Sequence, residues 1–198
     1  MKDNGVKKTT LSTHVTLIAG HPFRGRIEAV ADVETVVVQM RDTSPEGVNW
    51  TSCVRTNVPG RREPDWLQPG DILFPARGNV SRAVLIDEQI GPLKAVAAPH
   101  FFLLRIKTAN LIPAYLAWWL NQEPAQRHLA QNAQSSTLVR NIARTVLETT
   151  PLAVPSLTQQ QTLAELALAM HREETLLIQL RQSNQQIMTG LARDLLAR

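Results

Sequence analysis

The chain has 198 residues, of which 43% are hydrophobic and 19% charged, and it carries a formal net charge of +4 at pH 7. That length holds one substantial domain with an appendage or two small domains, and the balance is that of an ordinary soluble globular protein. No apolar run approaches the roughly 20 residues of a membrane span, the polar N-terminus has no signal-peptide core, and the single cysteine, Cys53, excludes a disulfide framework and a thiolate zinc site, so a reducing cytoplasm is the expected compartment.

In chain order, short apolar or β-branched runs between turn residues predict strands over 14–18 (HVTLI), 35–40 (TVVVQM), 71–74 (DILF), 83–87 (AVLID) and 100–106 (HFFLLRI). Gly70 and Asp71 mark a turn before the third of these. Pro75 is expected to end its sheet pairing, because proline has no N–H to give a ladder. Beyond it the chain turns polar, through Arg77, Gly78, Asn79, Ser81 and Arg82. Helices are predicted over 113–122 (PAYLAWWLNQ), with Pro113 in the first turn, over 124–131, and in a short segment after Asn141. There is no regular βαβ alternation and no internal repeat, so residues 1–157 read as an α+β domain with a mixed or antiparallel sheet.

After Pro155 the composition shifts to Leu, Ala, Gln, Glu and Arg, interrupted by Gly190. Thr158 and Gln161 have the spacing of a capping box, and a single helix over 158–198 would be on the order of 60 Å long at ~1.5 Å per residue. A helix of that length projects or pairs. With Leu163 at heptad position a, the seam positions are Leu163, Leu166, Met170, Glu173, Leu177, Leu180, Asn184, Ile187, Leu191 and Asp194. A parallel homodimer sets Glu173 against its own copy. An antiparallel one, with Leu177 opposite Leu180 of the second chain, sets Met170 on Ile187, Leu166 on Leu191 and Glu173 on Asn184. It also brings Glu174 and Arg181, both at e positions, into opposite-charge contact. The pattern favours antiparallel pairing. Leu168, Leu176, Ile178 and Leu196 lie off the seam, and a helix packed only on its own domain is the alternative.

Catalytic signatures are missing from the sequence. There is neither a G-x-G-x-x-G nor a G-x-x-x-x-G-K-[ST] loop, and the histidines at 14, 21, 100, 128 and 171 form no metal-binding pair. Cys53 has no clear histidine partner, and Glu63 with Asp65 or Asp87 with Glu88 fit surface turns. What stands out is basic charge. Arginine outnumbers lysine 16 to 5, and residues 1–157 hold 17 Lys+Arg against 13 Asp+Glu, whereas 158–198 hold four of each. The arginines cluster in four polar loops, at 21–26, 55–62, 77–82 and 134–141, mixed with Asn, Gln, Ser and Thr. Such side chains contact phosphates and base edges, although any one loop alone also fits solvated surface. Gly25, Gly60 and Gly78 would allow close backbone approach to a ligand. The candidate DNA-contacting residues are Arg24, Arg26, Arg61, Arg62, Arg77, Asn79, Arg82, Arg140 and Asn141.

Five stretches, in order, resemble the specificity subunit of type I restriction-modification systems, as one target-recognition domain followed by one spacer helix. They are HVTLIAGHPFRGRIEAVAD, VVVQMRDTSPEGVNW with its Arg-Asp after a strand, PGDILFPARGNVSRAVLID, AAPHFFLLRIK with LIPAYLAWWLNQ, and SSTLVRNIARTVLETTPLAVPSLTQQQ. Ser135-Ser136 stands where the family often has Gly-Ser, Pro155-Ser156-Leu157 where Pro-Pro-Leu is common, and Gln159 where Glu is usual. The usual subunit has two such domains and two such helices, so this chain resembles half of one. The resemblance implies a non-catalytic subunit that recognises double-stranded DNA and holds DNA methyltransferase subunits and, through them, translocase-nuclease subunits. It binds no cofactor itself; S-adenosylmethionine, ATP and Mg are expected on the partners. It also implies an antiparallel coiled coil, here within a homodimer reading a bipartite palindrome. The alternative from the residues alone is a coiled-coil interaction module with an incidental basic surface.

Overall fold

The computed structural model describes residues 6–78, 81–133 and 140–196. The first elements are β1 (Lys7–Thr10), α1 (Leu11–His14), β2 (Val15–Ala19), β3 (Thr35–Val38), the hairpin of β4 (Thr43–Ser44) and β5 (Gly47–Val48), and β6 (Val54–Arg55). Then come β7 (Ile72–Pro75), β8 (Arg77–Gly78), β9 (Val84–Leu85), β10 (Lys94–Ala97) and β11 (Phe101–Ile106). The chain finishes with α2 (Pro113–Leu120), α3 (Glu123–Asn132), β12 (Arg140–Asn141), α4 (Arg144–Glu148), β13 (Pro151–Val154) and α5 (Leu157–Leu196).

Alternation along β7 and β11 divides the interior in two. These strands lie in the antiparallel sheet β2-β11-β7-β9, with Leu104 opposite both Leu17 and Ile72. Successive strand residues point to opposite faces. Ile72, Phe74 and Leu104 therefore enter one core with Leu11, Tyr115, Leu116, Leu120, Leu129 and Leu147. Leu73, Phe101 and Leu103 enter the other, with Val36–Val38, Ile86, Ile90 and Ala95–Ala98. The second core is backed by the sheet β10-β3-β6, in which β10 is parallel to β3 and β6 antiparallel. Its VVV and AVA runs are buried throughout, as expected where both faces of a strand are covered. The mixed α+β architecture expected from the sequence is observed.

Pro75 does not end sheet pairing. It is the last residue of β7 and sits opposite Phe101, while β9 covers only Ile72 and Leu73. The missing N–H thus falls on an edge that no strand occupies among the described residues, where proline is tolerated. Pairing resumes at once, because Ala76 N–H donates to His100 O at 2.7 Å and β8 pairs with β12.

The capping box of the long helix also lies two residues earlier than expected. Ser156 Oγ accepts from Gln159 N–H at 3.3 Å and Gln159 Oε1 accepts from Ser156 N–H at 3.2 Å, whereas Gln161 donates to Glu165. The next residue, Gln160, is fully buried. It donates to Asn110 O and Pro155 O and accepts from Ile112 N–H, all at 2.9 Å, which fastens the first turn of α5 to the start of α2. Leu163 packs against the domain's core. Farther along, Leu166, Met170, Leu177, Leu180, Ile187 and Leu191 are each more than half exposed, and Glu173 and Asn184 are exposed with them. Among the described residues no helix is long and apolar enough to cross a membrane.

Candidate nucleic-acid interface

Several strand ends meet at one edge of the domain. Ala19 lies opposite Phe102, Pro75 opposite Phe101, and Ala97 opposite Val38, so the ends of β2, β7, β3 and β10 gather beside the start of β11. Gly20 N–H donates to Phe101 O at 2.9 Å, His21 N–H to Ala97 O at 2.7 Å, and Ala98 N–H to Val38 O at 2.9 Å, joining the two sheets there. This closeness demands glycine, since a Cβ on Gly20 would stand 2.0 Å from Ala98 O.

The arginine-bearing loops leave from this edge. His21 Nε2 donates to Pro59 O at 2.6 Å, tying the loop that carries Arg24 and Arg26 to the one that carries Arg61 and Arg62. These two loops flank a cavity of about 380 Å³ lined by His21, Gly60, Arg61 and Arg62. A second cavity of about 530 Å³ is lined by Phe23, Arg26, Gln39, Met40, Arg41 and His100. Gln39 Nε2 is shielded there and has no hydrogen-bond partner among the described residues. His100 connects this cavity to β8 through the Ala76 bond, and β8 sets Arg77 directly opposite Asn141. Arg24, Arg26, Arg61, Arg62, Arg77 and Asn141 are all exposed. Arg140 lies opposite Gly78 in the same ladder, whereas Asn79 lies outside the described residues.

Arg82 stands apart. It lines a different cleft, of about 420 Å³, with Glu46, Asp87, Asn121, Glu165 and His171, between the β4–β5 hairpin and α5. Hydrogen bonding from Ser44 is the main cause holding the Glu46 carboxyl below its ordinary range, and the charges of His171 and Arg82 add to it.

Other charged residues serve the frame. Asp71 is buried and takes two bonds from Arg105, at 2.9 and 2.7 Å, while Gln68 N–H donates to its Oδ2 at 2.8 Å. That bond to Asp71 is the leading cause of a raised Arg105 pKa. Buried Asp42 accepts from Gln39 N–H and from Ser52 Oγ, so the Arg-Asp pair places Asp42 inward and Arg41 outward. Arg144 binds Glu148 and donates to Leu17 O, and Arg127 pairs with Glu123. Burial, then the Asp42 charge, pushes the Cys53 thiol up to about 12, which leaves it inert at neutral pH. Among the described residues, Arg24, Arg26, Arg61, Arg62, Arg77 and Arg82 form no ion pair, and no three His, Cys, Asp or Glu residues are grouped to hold a metal. Sequence reading missed Arg41 and His100 on this edge; the signal for Arg41 was its position next to an aspartate directly after a strand.

No protein-family model and no curated protein matches the chain. Solved structures do. The chain is similar to the S subunit of a type I restriction-modification system from M. genitalium, at 14% identity and a TM-score of 0.56, covering 89% of this chain and 42% of that one. It is similar to the HsdS subunit from Thermoanaerobacter tengcongensis, at 13% identity and a TM-score of 0.60, covering 87% and 38%. A chain solved in work on complex assembly and conformational transition of the type I R-M system has 14% identity and a TM-score of 0.60, covering 89% and 40%. The chain spans about two fifths of the length of these structures. The likeness seen in the sequence motifs is thus borne out in the fold, an α+β domain followed by a long helix.

Proposed function

We propose that this chain is the sequence-specific DNA-recognition component of a type I restriction-modification system, working in the cytoplasm without catalytic activity of its own. The observation that carries this reading is the gathering of Arg24, Arg26, Arg41, Arg61, Arg62 and Arg77 at one edge of the two-sheet frame. Among the described residues Arg24, Arg26, Arg61, Arg62 and Arg77 neutralise no carboxylate and are available for phosphates and base edges, while Arg41, 3.9 Å from Asp42, keeps most of its side chain exposed. The exposed seam of α5 supports an antiparallel homodimer, and two domains related by a two-fold axis would read an interrupted palindrome. In that assembly the chain holds methyltransferase subunits and, through them, translocase-nuclease subunits; S-adenosylmethionine, ATP and Mg belong to those partners.

Selection from a random-sequence duplex pool tests the reading. The chain, alone or with a methyltransferase subunit, is expected to enrich one motif over successive rounds. A bound fraction as random as the input would instead favour the second reading, a coiled-coil interaction module whose basic surface is incidental, for which the exposed α5 seam is the supporting feature.

A further inference from the structure

We propose that the two-stranded ribbon of β8 and β12 is the base-reading element, with Arg77 directed to guanine and Asn141 to adenine, while the arginines of the neighbouring loops hold phosphate. This rests on the DNA-recognition reading and assigns labour within it. The two residues are direct cross-strand partners, Arg77 opposite Asn141 with Gly78 opposite Arg140. Side chains opposite one another in an antiparallel pair share a face, with Cβ atoms about 4.5–5.5 Å apart. That spacing lets them reach neighbouring base pairs, which follow each other at about 3.4 Å along a strand. A major groove about 12 Å wide admits a two-stranded ribbon. Within it, arginine makes a bidentate pair with guanine O6 and N7, and asparagine with adenine N6 and N7.

The ribbon is also fixed in place as base reading requires. Ala76, at its root, donates to His100 O at 2.7 Å and accepts from Ile142 N–H at 2.8 Å, and Ile142 is buried in the core. Both strands are thereby anchored to the sheet frame, while Arg77 and Asn141 remain exposed. Side chains mounted on paired strands hold their geometry better than side chains on loops. Arg24, Arg26, Arg61 and Arg62 belong to irregular loops, which suits phosphate contact, where charge counts more than angle. Gly78, with φ of 149°, adopts beside the reading pair a conformation that side-chain-bearing residues rarely take.

The test compares the motif enriched by the wild-type chain with those of Arg77→Lys, Arg77→Ala, Asn141→Ala and Arg61→Ala, each checked for an unchanged melting temperature. Arg77→Lys keeps the charge but loses the fork. It is expected to relax one guanine position per half-site and leave the salt dependence of binding unchanged. Asn141→Ala is expected to relax an adenine position adjacent to it, and each ribbon variant should bind the wild-type motif about 5- to 150-fold more weakly. Arg61→Ala should keep the whole motif and lower the salt slope by about one. Ribbon variants that retain every base preference and weaken all sequences alike would overturn the assignment while leaving the recognition reading standing. A wild-type chain that enriches no motif would overturn both.

Discussion

Asp71 and Arg77, six residues apart, show how differently the frame uses its charges. The carboxylate is buried against Arg105 at the turn before β7, whereas the guanidinium just beyond β7 is exposed. Removing one partner of a buried pair strands the other, so Asp71→Ala is expected to cost about 2–4 kcal/mol in chemical denaturation, less than a wholly buried pair because Arg105 is partly solvated. Gly20→Ala places a methyl against the Ala98 carbonyl and should cost about 1–3 kcal/mol by the same measurement. His14 is buried, with Nδ1 at 3.0 Å from Thr108 Oγ1 and Nε2 unpartnered among the described residues. Desolvation lowers its pKa from the ordinary 6.5. Between the lowered value and 6.5 the unfolded chain binds more protons than the folded one. This stability is fully present above 6.5 and is lost as pH falls through the folded pKa. The melting temperature should therefore drop as pH falls below about 6.5, and drop less in His14→Gln. The turn at Gly70-Asp71 was legible in the sequence. Its buried ion pair was not, because Arg105 looks in sequence like any other arginine and only the ladder of β11 brings it to Asp71.

The elements divide along similar lines. The runs TVVVQM, DILF and HFFLLRI were legible as strands because β-branched and aromatic residues fill both faces. β10 was not, since KAVA is built mostly of small residues and becomes a strand only through its parallel register with β3. β1 and β13 join the two ends of the domain, and polar KKTT gives no periodic signal for that long-range pairing. The long helix was the clearest element, but its root was misplaced because T-x-x-Q and S-x-x-Q both occur within six residues and the buried Gln160 contacts decide between them. Gln160→Leu leaves Ile112 N–H and two carbonyls without partners, an expected loss of about 2–4 kcal/mol. For the projecting part, cysteines at 177 and 180 on separately tagged chains are expected to crosslink. A preferred 177–177 crosslink would indicate parallel pairing. The native Cys53, buried with its thiol raised to about 12, will not compete.

At the scale of the whole molecule, a domain carrying the chain's excess basic charge holds the first turns of a charge-balanced helix, from Gln160 to His171, and the rest of that helix exposes an apolar seam. Composition made the two parts legible, and the loops' arginine content made an exposed basic surface legible. Which arginines share a face was not legible, since that depends on strand ends meeting: Arg41 and His100 join Arg26, and Arg82 departs toward α5. The proposed role requires this edge to distinguish DNA sequence and not charge alone. The most direct measurement is competition at physiological salt between a duplex carrying the enriched motif and the same duplex scrambled. A preference of at least about a thousandfold for the motif, the range of specific DNA-binding proteins, is expected; equal affinity for the two duplexes would overturn the proposed role.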